Sequence, residues 1–575
     1  MSEDTTGEQE QSATTGPRLG FPIAVVIIQL AVMFGFNAFG STNVQNIFGL
    51  GLAPLVAAIL LSIWWLRSKG VPRRDRLIGF IAFLAVIVFI VLLHGQNGMY
   101  LLILALPVLT TAIILKLLLT SRWPWSSRRF FPLIIVALWT LGFGLVRVDA
   151  IGGDLIPLMS WRWTPISTSI ATQVSEEPIT LPNSPSDQDW PEFRGTRRDG
   201  QSTTFSFATD WNENPPKELW RKDVGLGWSS FTVIGDYIFT QEQRDSGEFV
   251  VCYEANTGNL VWTNYVDARF VEGMGDGPRA TPTFVDGKLY TQGATGILQC
   301  LNADTGEAVW KRDVGEDTGA KLPMWGFASS PLFVDEKVIV FTGADAGKSV
   351  IAYHSATGEI AWTAGDGDHG YGSGHLAEFD GTSQLLMISN FGIQSFIPET
   401  GEQLWEHSMD IGTFARVVQP LLSDDDSVFI GSSFGKGSRR LTVTKEDDTW
   451  NVQEDWTSKK IRPYFNDCVV HEGYIYGYDG NRIACIDAST GEATWKSRRV
   501  GGQVLLLPEM DILLSLTEKG EVLLISATPD EYTIIARIKA LTKKPKKTWN
   551  HPVIAQGKLF VRNSTEAVCY KLSPS

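Results

Sequence analysis

CLNADTGEAVW, residues Cys300 to Trp310, decides the fold, because the same eleven-residue frame returns along the chain. Its copies are CYEANTGNLVW (Cys252 to Trp262), AYHSATGEIAW (Ala352 to Trp362), SFIPETGEQLW (Ser395 to Trp405) and CIDASTGEATW (Cys485 to Trp495). Each begins with a small residue, turns at Thr-Gly (Gly258, Gly306, Gly358, Gly401 and Gly491) and reaches a tryptophan four places later. The tryptophans fall 48, 52, 43 and 90 residues apart, the last gap being two periods with one copy worn down. A period in that range marks one supersecondary unit stacked repeatedly.

The apolar alternation before each turn reads as a strand, Thr-Gly supplies the positive φ of a tight hairpin, and the run into Trp is the returning strand. Tryptophan suits a cleft between neighbouring units, where its rings are buried and its one N–H can reach a backbone carbonyl. A second pattern precedes each frame: SSFTVIGDYIFTQ (Ser229 to Gln241), ATPTFVDGKLYTQG (Ala280 to Gly293), SSPLFVDEKVIVFTG (Ser329 to Gly343), NDCVVHEGYIYGYDG (Asn466 to Gly480) and NHPVIAQGKLFVRN (Asn550 to Asn563). Two hairpins per period give four antiparallel strands, the make-up of a propeller blade.

Counting periods gives eight blades. A degenerate blade with Trp450 and Trp456 fills the double gap, and Leu505 to Leu541 forms a seventh in which Thr528-Pro529-Asp530 replaces the Thr-Gly turn. The last, Thr548 to Leu572, stops without its outer strand. The orphan ELWRKDV (Glu218 to Val224) resembles VWKRDV (Val309 to Val314) and is expected to close the ring by pairing with the C-terminal blade.

The apolar residues of the 575-residue chain are unevenly spread. Residues 1–20 are polar and expected to be disordered. Five apolar runs follow, roughly Phe21 to Phe39, Ile47 to Leu66, Leu77 to Leu93, Met99 to Leu119 and Phe130 to Val146. Each is near the ~17–25 residues that cross a bilayer as a helix, so residues 21–148 read as a five-helix transmembrane domain in contact with lipid. Arg67, Lys69, Arg73, Arg74 and Arg76 lie between the second and third runs, and Arg122, Arg128 and Arg129 between the fourth and fifth, whereas Gly40 to Asn46 and His94 to Gly98 carry neither Lys nor Arg. The positive-inside rule then makes the N-terminus cytoplasmic and the C-terminal part periplasmic, in a multi-pass protein of the cytoplasmic membrane. Trp64, Trp65, Trp123 and Trp125 fall where an interfacial belt would lie. With no short apolar core followed by a small-residue cleavage site, the first run reads as an uncleaved anchor. Residues 149–188, with Pro157, Pro165, Pro178, Pro182 and Pro185 among Ser and Thr, read as an extended tether, and 189–575 as the propeller. The net charge of −14 without a basic stripe excludes nucleic acid as a partner.

DWPEFRGTRRDG (Asp189 to Gly200) opens the folded region. With the Thr-Gly-x-x-x-Trp blades, it resembles the bacterial pyrroloquinoline-quinone-like (PQQ-like) propeller repeat proteins over Trp190 to Leu572. That superfamily contains quinoprotein dehydrogenases and the outer-membrane assembly propeller lipoprotein, and fold alone does not choose between them. Five helices ahead of an exported propeller resemble membrane-bound quinoprotein glucose dehydrogenase, a resemblance that implies PQQ with calcium, and on which His94, at the end of the third run, could touch a quinone. The family's PQQ site is often recognised by an adjacent Cys-Cys pair, an aromatic floor and acidic or amide calcium ligands. This chain has no Cys-Cys, and 387 residues from Asp189 onward are close to the size of the scaffold propellers.

Cys252, Cys300 and Cys485 hold the small first position of the frame, Cys569 matches it in the last blade, and Cys468 lies in an inner strand, so all five read as structural. A ligand would bind where the innermost strands begin, at the mouth of the central channel. Those positions hold Trp228, Arg279, Trp325, His375, Arg416, Asn466, Asp467, Trp549 and His551. Arg279 and Arg416 could fork a carboxylate and the tryptophans could stack an aromatic ring. The run Lys543, Lys544, Lys546 and Lys547 reads as a solvated loop, and Asp424 to Asp426 lacks calcium-loop spacing. No Ser-His-Asp pattern, phosphate loop or zinc spacing stands out, no metal is assigned, and no catalytic residue is identified. The sequence therefore reads as an envelope platform binding a protein partner or small ligand, with a PQQ-dependent sugar or alcohol dehydrogenase feeding membrane quinone as the rival.

Overall fold

Two hydrogen-bonded hairpins per repeat do form, and they assemble into eight four-stranded antiparallel sheets. The computed structural model describes residues 16–39, 47–95, 97–151, 157–164 and 179–575, apart from 204, 245–246, 346, 369, 415, 424, 434, 498–500 and 543–547. The polar stretch 1–15, Asp424 and the lysines at 543, 544, 546 and 547 thus lie outside the described residues. The chain divides into two units, Met1–Pro165 and Ile166–Ser575.

Blades one to four run over residues 232–266, 283–313, 332–364 and 375–408, and blades five to seven over 421–458, 469–496 and 502–539. Blade eight combines Val553–Ala555, Lys558–Arg562 and Glu566–Lys571 with Lys217–Asp223 from the start of the unit. Register shows why the orphan strand fits. Inside the repeat the small residue faces the tryptophan across the strand pair, as in Cys252 opposite Trp262 and Cys300 opposite Trp310. In the closing blade Cys569 faces Trp220, so the two chain ends together complete one more copy of the frame.

Neighbouring blades are joined by these tryptophans. The indole of Trp262 donates to the Ala303 carbonyl at 3.0 Å, and its ring lies on Gly306, the turn glycine of the next blade. A Cβ at Gly306 would stand 2.4 Å from that ring, and its φ of +74° already favours glycine. Trp220, Trp310, Trp362 and Trp456 repeat both contacts on the turns after them, bonding Ala255, Ser355, Pro398 and Ala488. Two tryptophans differ: Trp495 meets Thr528-Pro529-Asp530, keeping the carbonyl bond (to Thr528, 2.8 Å) without a glycine under its ring, while Trp405 meets Asp447-Asp448, also without Thr-Gly, and its indole donates instead to Gln384 of its own blade. Blade seven carries Ala536 where the others have Trp. There the Tyr570 hydroxyl and Arg221, both of blade eight, donate to the Ala540 carbonyl, each at 3.0 Å. All five cysteines are buried free thiols, and burial raises those of Cys300 and Cys569 to about 11 and about 12.

The first unit holds helices Gly20–Phe39, Ala53–Arg67, Arg73–His94, Asn97–Leu119, Trp125–Arg128 and Phe131–Gly144. Among the described residues, Arg73–His94 and Leu101–Leu119 are long and apolar enough to cross a membrane. The second apolar run is not uniformly α-helical: Ile47–Leu52, with two glycines ahead of Pro54, makes a π-helical turn before Ala53–Arg67. The expected tether departs further from the sequence reading. Val146–Ile151 pairs antiparallel with Pro157–Trp161, because alternation in VRVDAI and PLMSW supports a two-stranded ladder. Leu181 is buried against Ile234 and Phe239, and its N–H donates to Asp304 at 2.8 Å, so contacts with the propeller begin ahead of Asp189. Residues 152–156 and 165–178 of the expected tether lie outside the described residues.

The tryptophan contact makes a specific demand on its glycine. Gly306→Ala should lower stability by about 2–4 kcal/mol, adding overpacking to the cost of a positive φ. Gly381→Ala, at φ +67° with open space around it, should lose only about 1 kcal/mol. Equal shifts of the two variants in thermal unfolding would remove the ring contact from the account.

Candidate functional site

The innermost strands are preceded by short approaches whose side chains alternate between the blade cleft and the channel. Where the repeat begins SS, AT, SS, ND or NH, the first residue packs away and the second faces inward. The inward residues form a belt. Ser230 N–H donates to Thr281 Oγ1 at 3.1 Å, Thr281 N–H to Ser330 Oγ at 3.0 Å, and Ser330 N–H to Ser373 Oγ at 2.8 Å. Ser373 N–H continues to Gln419 Oε1 at 2.9 Å and Gln419 N–H to Asp467 Oδ1 at 2.7 Å. Asp467 Oδ2 bonds His551 Nε2 at 3.0 Å, and Ser230 Oγ donates to the His551 carbonyl at 2.7 Å, which returns the belt to blade one.

One step farther along the channel lies DWPEFRGTRRDG, which fills the ring as a plug. Trp190 exchanges both backbone bonds with Val233 of blade one, and Pro191 accepts from Phe284 of blade two. Arg198 donates to Gly374 of blade four at 2.9 Å and to Pro331 and Ser330 at the start of blade three, while pairing with Glu192. Arg194 donates to the Cys468 carbonyl at 2.8 Å and pairs with Asp467 at 3.4 Å, both at blade six. Gly200 and Ser202 bond Leu506 of blade seven, and Asp189 accepts from Gln556 of blade eight. Both arginines sit at positive φ, 64° and 56°, a conformation held by these bonds.

Above the plug is a cavity of about 160 Å³ to which all eight blades and Phe193 of the plug contribute. Six of the nine sequence candidates line it: Trp228, Arg279, Trp325, Asp467, Trp549 and His551. Its walls are aromatic, with ring centroids 5.1 Å apart for Trp228 and Trp549, 4.5 Å for Trp549 and Phe465, and 5.1 Å for Trp325 and Tyr371. The other three candidates lie elsewhere. Arg416 is buried between blades four and five, donating to the Ser389, Met409 and Gly431 carbonyls. Asn466 takes the outward position of its pair and donates to the Gly502 carbonyl. His375 lies two residues past the belt, buried beside the plug arginines, and burial with those charges drives its imidazole down to about 3.

The ionisable groups at the cavity neutralise one another. Arg279 pairs with Glu272 at 2.9 Å and also bonds the Gly275 carbonyl, while Arg194 and Asp467 form the second pair. Burial raises Glu272 against the pull of Arg279, and lowers His551 against its bond to Asp467. Burial works to raise Asp467 too, but Arg194, His551 and the Gln419 N–H together hold it below the usual carboxylate range. Glu248, bonded to Ala294 N–H and under the field of Arg279, is raised by burial to about 7.

A calcium-bound quinone does not fit this lining. Both carboxylates are taken by guanidinium groups of the chain, and the one cluster of three potential metal ligands among the described residues, His471, Glu472 and Asp511, lies away from the cavity. Outside the propeller, His94 bonds the Phe143 carbonyl at 3.2 Å, and a cavity of about 70 Å³ among the helices is lined by other residues. Sequence reasoning missed the plug and the wall residues Phe193, Glu272, Tyr371, Tyr464, Phe465, Gln419 and Gln503. The signal that could have found part of the site was the second position of the inner frame, where Ser230, Thr281, Ser330, Asp467 and His551 align.

Comparison with known proteins adds a family. The model described as outer membrane protein assembly factor BamB matches residues 210–323 and 272–497. A tetrathionate hydrolase of Acidithiobacillus ferrooxidans is 24% identical over 36% of this chain and 42% of its own, so the match spans less than half of that relative. Outer membrane protein assembly factor BamB of Shewanella oneidensis is 22% identical over 60% of this chain and 86% of its own. A quinohemoprotein alcohol dehydrogenase from Comamonas testosteroni is similar in structure at 13% identity and TM-score 0.48, covering 68% of this chain and 81% of that one.

Two outcomes test the site. Arg198→Ala strips several carbonyls and Glu192 of their donor and should cost about 3–5 kcal/mol, with trypsin then cutting the plug much faster than in the parent. Glu248 holds a proton in the folded chain between its ordinary 4.5 and about 7, where the unfolded chain has released it. Stability therefore falls as pH rises through that window, by about 3 kcal/mol from this group, and levels off above it. In Glu248→Gln, urea unfolding read by tryptophan fluorescence should lose that part of the slope.

Proposed function

The chain belongs to the propeller family whose model is described as outer membrane protein assembly factor BamB, and from that premise we propose that it is a membrane-anchored envelope protein whose propeller is a docking platform for another protein. The observation that carries this reading is the self-contained electrostatics of the channel. Glu272 with Arg279 and Asp467 with Arg194 leave an aromatic chamber rather than a ligand set for a charged cofactor. Buried pairs of this kind are satisfied within the fold.

The anchoring part of the proposal assigns five spans to the helices between Gly20 and Gly144. Broad apolar exposure supports it: Ile27, Ile28, Leu92, Leu119 and Leu138 are each more than half exposed, which suits lipid as the surrounding phase. With the arginines of the two basic loops on the cytoplasmic side, the propeller is periplasmic. The rival reading, a PQQ-dependent dehydrogenase delivering electrons to membrane quinone, draws on the same channel mouth and on its tryptophans. It requires calcium ligands and a carboxylate fork that are free, and Arg279 is already engaged.

Full-length protein in lipid nanodiscs, mixed with PQQ and calcium, should develop no bound quinone absorbance and reduce no dye with sugars or alcohols. Protein carrying a photo-crosslinker at Leu322 should capture a discrete envelope protein. Stoichiometric PQQ binding with turnover would transfer the reading to the dehydrogenase.

A further inference from the structure

The loops that wall the cavity also carry an apolar rim. Val271 is 60% exposed and adjoins Glu272 in the wall, Leu322 and Met324 are 54% and 77% exposed just before Trp325, and Phe414 is 46% exposed three residues before Val417. These side chains come from the loops that lead into blades two, three and five, the same loops that bring Glu272, Trp325 and Val417 to the cavity wall. Among the described propeller residues, the other large apolar side chains exposed to a comparable degree are Tyr265, Val309, Ile360 and Ile535, all on outer strands of their blades.

Three properties of the cavity limit what it takes. Its volume, about 160 Å³, is close to the ~150 Å³ of an apolar cavity that holds benzene, so the buried part of a guest is one ring system. Its walls are aromatic faces, which receive another ring by offset or edge contact. Its charges are mutually paired, so a charged guest would leave an uncompensated group. A free small molecule would satisfy these three properties but leave the rim in water. A polypeptide with apolar residues beside its anchoring ring would cover both.

We infer that the cavity is a receptor for a single uncharged aromatic side chain of a partner polypeptide, with Val271, Leu322, Met324 and Phe414 packing on the residues that flank it. The inference rests on the platform reading and specifies how the partner is held. Aromatic anchors in desolvated chambers surrounded by a less critical rim are the usual arrangement of tightly bound interfaces.

The test uses the full chain in lipid nanodiscs and three probes read by competition against a fluorescein-labelled peptide: a ten-residue peptide of Gly, Ser and Leu with one central Trp, the same peptide with Ala, and N-acetyltryptophanamide. The Trp peptide should bind at least about tenfold more tightly than the Ala peptide, and more tightly than the amide. Ala328→Phe, which places a ring in the cavity without removing a side-chain hydrogen bond, should erase the preference for Trp. Val271→Asp with Met324→Asp, on exposed positions that leave folding intact, should weaken the Trp peptide and spare the amide. Equal affinity of the Trp and Ala peptides overturns the inference. So does an amide that binds as well as the peptide and is indifferent to the rim substitutions, since the guest is then a free small aromatic. A partner captured by crosslinking that the Trp peptide does not displace leaves the platform standing and removes this receptor, whereas absence of any captured partner together with quinone turnover removes the platform.

Discussion

The propeller depends on one contact repeated around the ring, a tryptophan laid on the turn glycine of the following blade with its indole bonded to a carbonyl beside it. The contact is directional: a blade with the full frame offers a ring at one edge and a glycine turn at the other, so such blades can only be joined in one sense. A ring built this way has an open tryptophan at one end and an open turn at the other. Trp220 removes that problem by placing the last tryptophan on the first strand of the unit, where it faces Cys569 and lies on Gly258 of blade one. Where the glycine is missing the joint varies: Trp405 bonds within its own blade, while Trp495 still reaches the Thr528 carbonyl of the next.

Inside this outer joint lie two further circuits with different chemistry. From Ser230 to Asp467 the belt uses side-chain oxygens to accept backbone N–H groups that no strand would satisfy, since the approaches precede the ladders, and His551 closes it through its ring and its carbonyl. The plug does the reverse, bringing guanidinium donors to carbonyls left over at the same level. Two arginines can serve several blades because each presents five N–H donors in a fixed fork. The result is a channel closed on one side of the belt and a chamber on the other. Asp467 belongs to both circuits, accepting from Gln419 and His551 in the belt and pairing by charge with Arg194 in the plug.

How much of this could be read from the chain follows from the range of each interaction. Blade number, strand pairing and closure were legible, because alternation, Thr-Gly and Trp are local signals repeated often enough to align. The plug was not, since its partners are backbone carbonyls, which have no sequence signature; DWPEFRGTRRDG was visible only as the start of the folded region. The nine mouth residues show the intermediate case. Choosing the beginnings of inner strands found the correct level of the channel, but alternation decides which neighbour faces in, so Asp467 lines the cavity and Asn466 does not. Arg416, read as a carboxylate fork, spends its donors on three carbonyls, a use indistinguishable in sequence from ligand binding. In the helical unit, the runs were legible by composition, while the strand pair Val146–Ile151 with Pro157–Trp161 was hidden by the prolines that suggested a tether.

The distribution of charge connects this architecture to its use. A channel that served a charged cofactor would have to keep counter-charges free, and free buried charges destabilise the fold that holds them unless the cofactor is present. Here the cations near the axis have been committed to holding blades and loops together: Arg194 and Arg198 to the plug, Arg416 to the joint of blades four and five, Arg279 to its own loop. The charges are satisfied within the chain for that reason, and what remains accessible at the channel mouth is aromatic surface, whose affinity for a guest depends on shape and desolvation rather than on charge. Under the platform proposal such a surface places the discriminating contacts on the loops leading into the blades, where sequence can vary without disturbing the tryptophan joints that keep the ring closed.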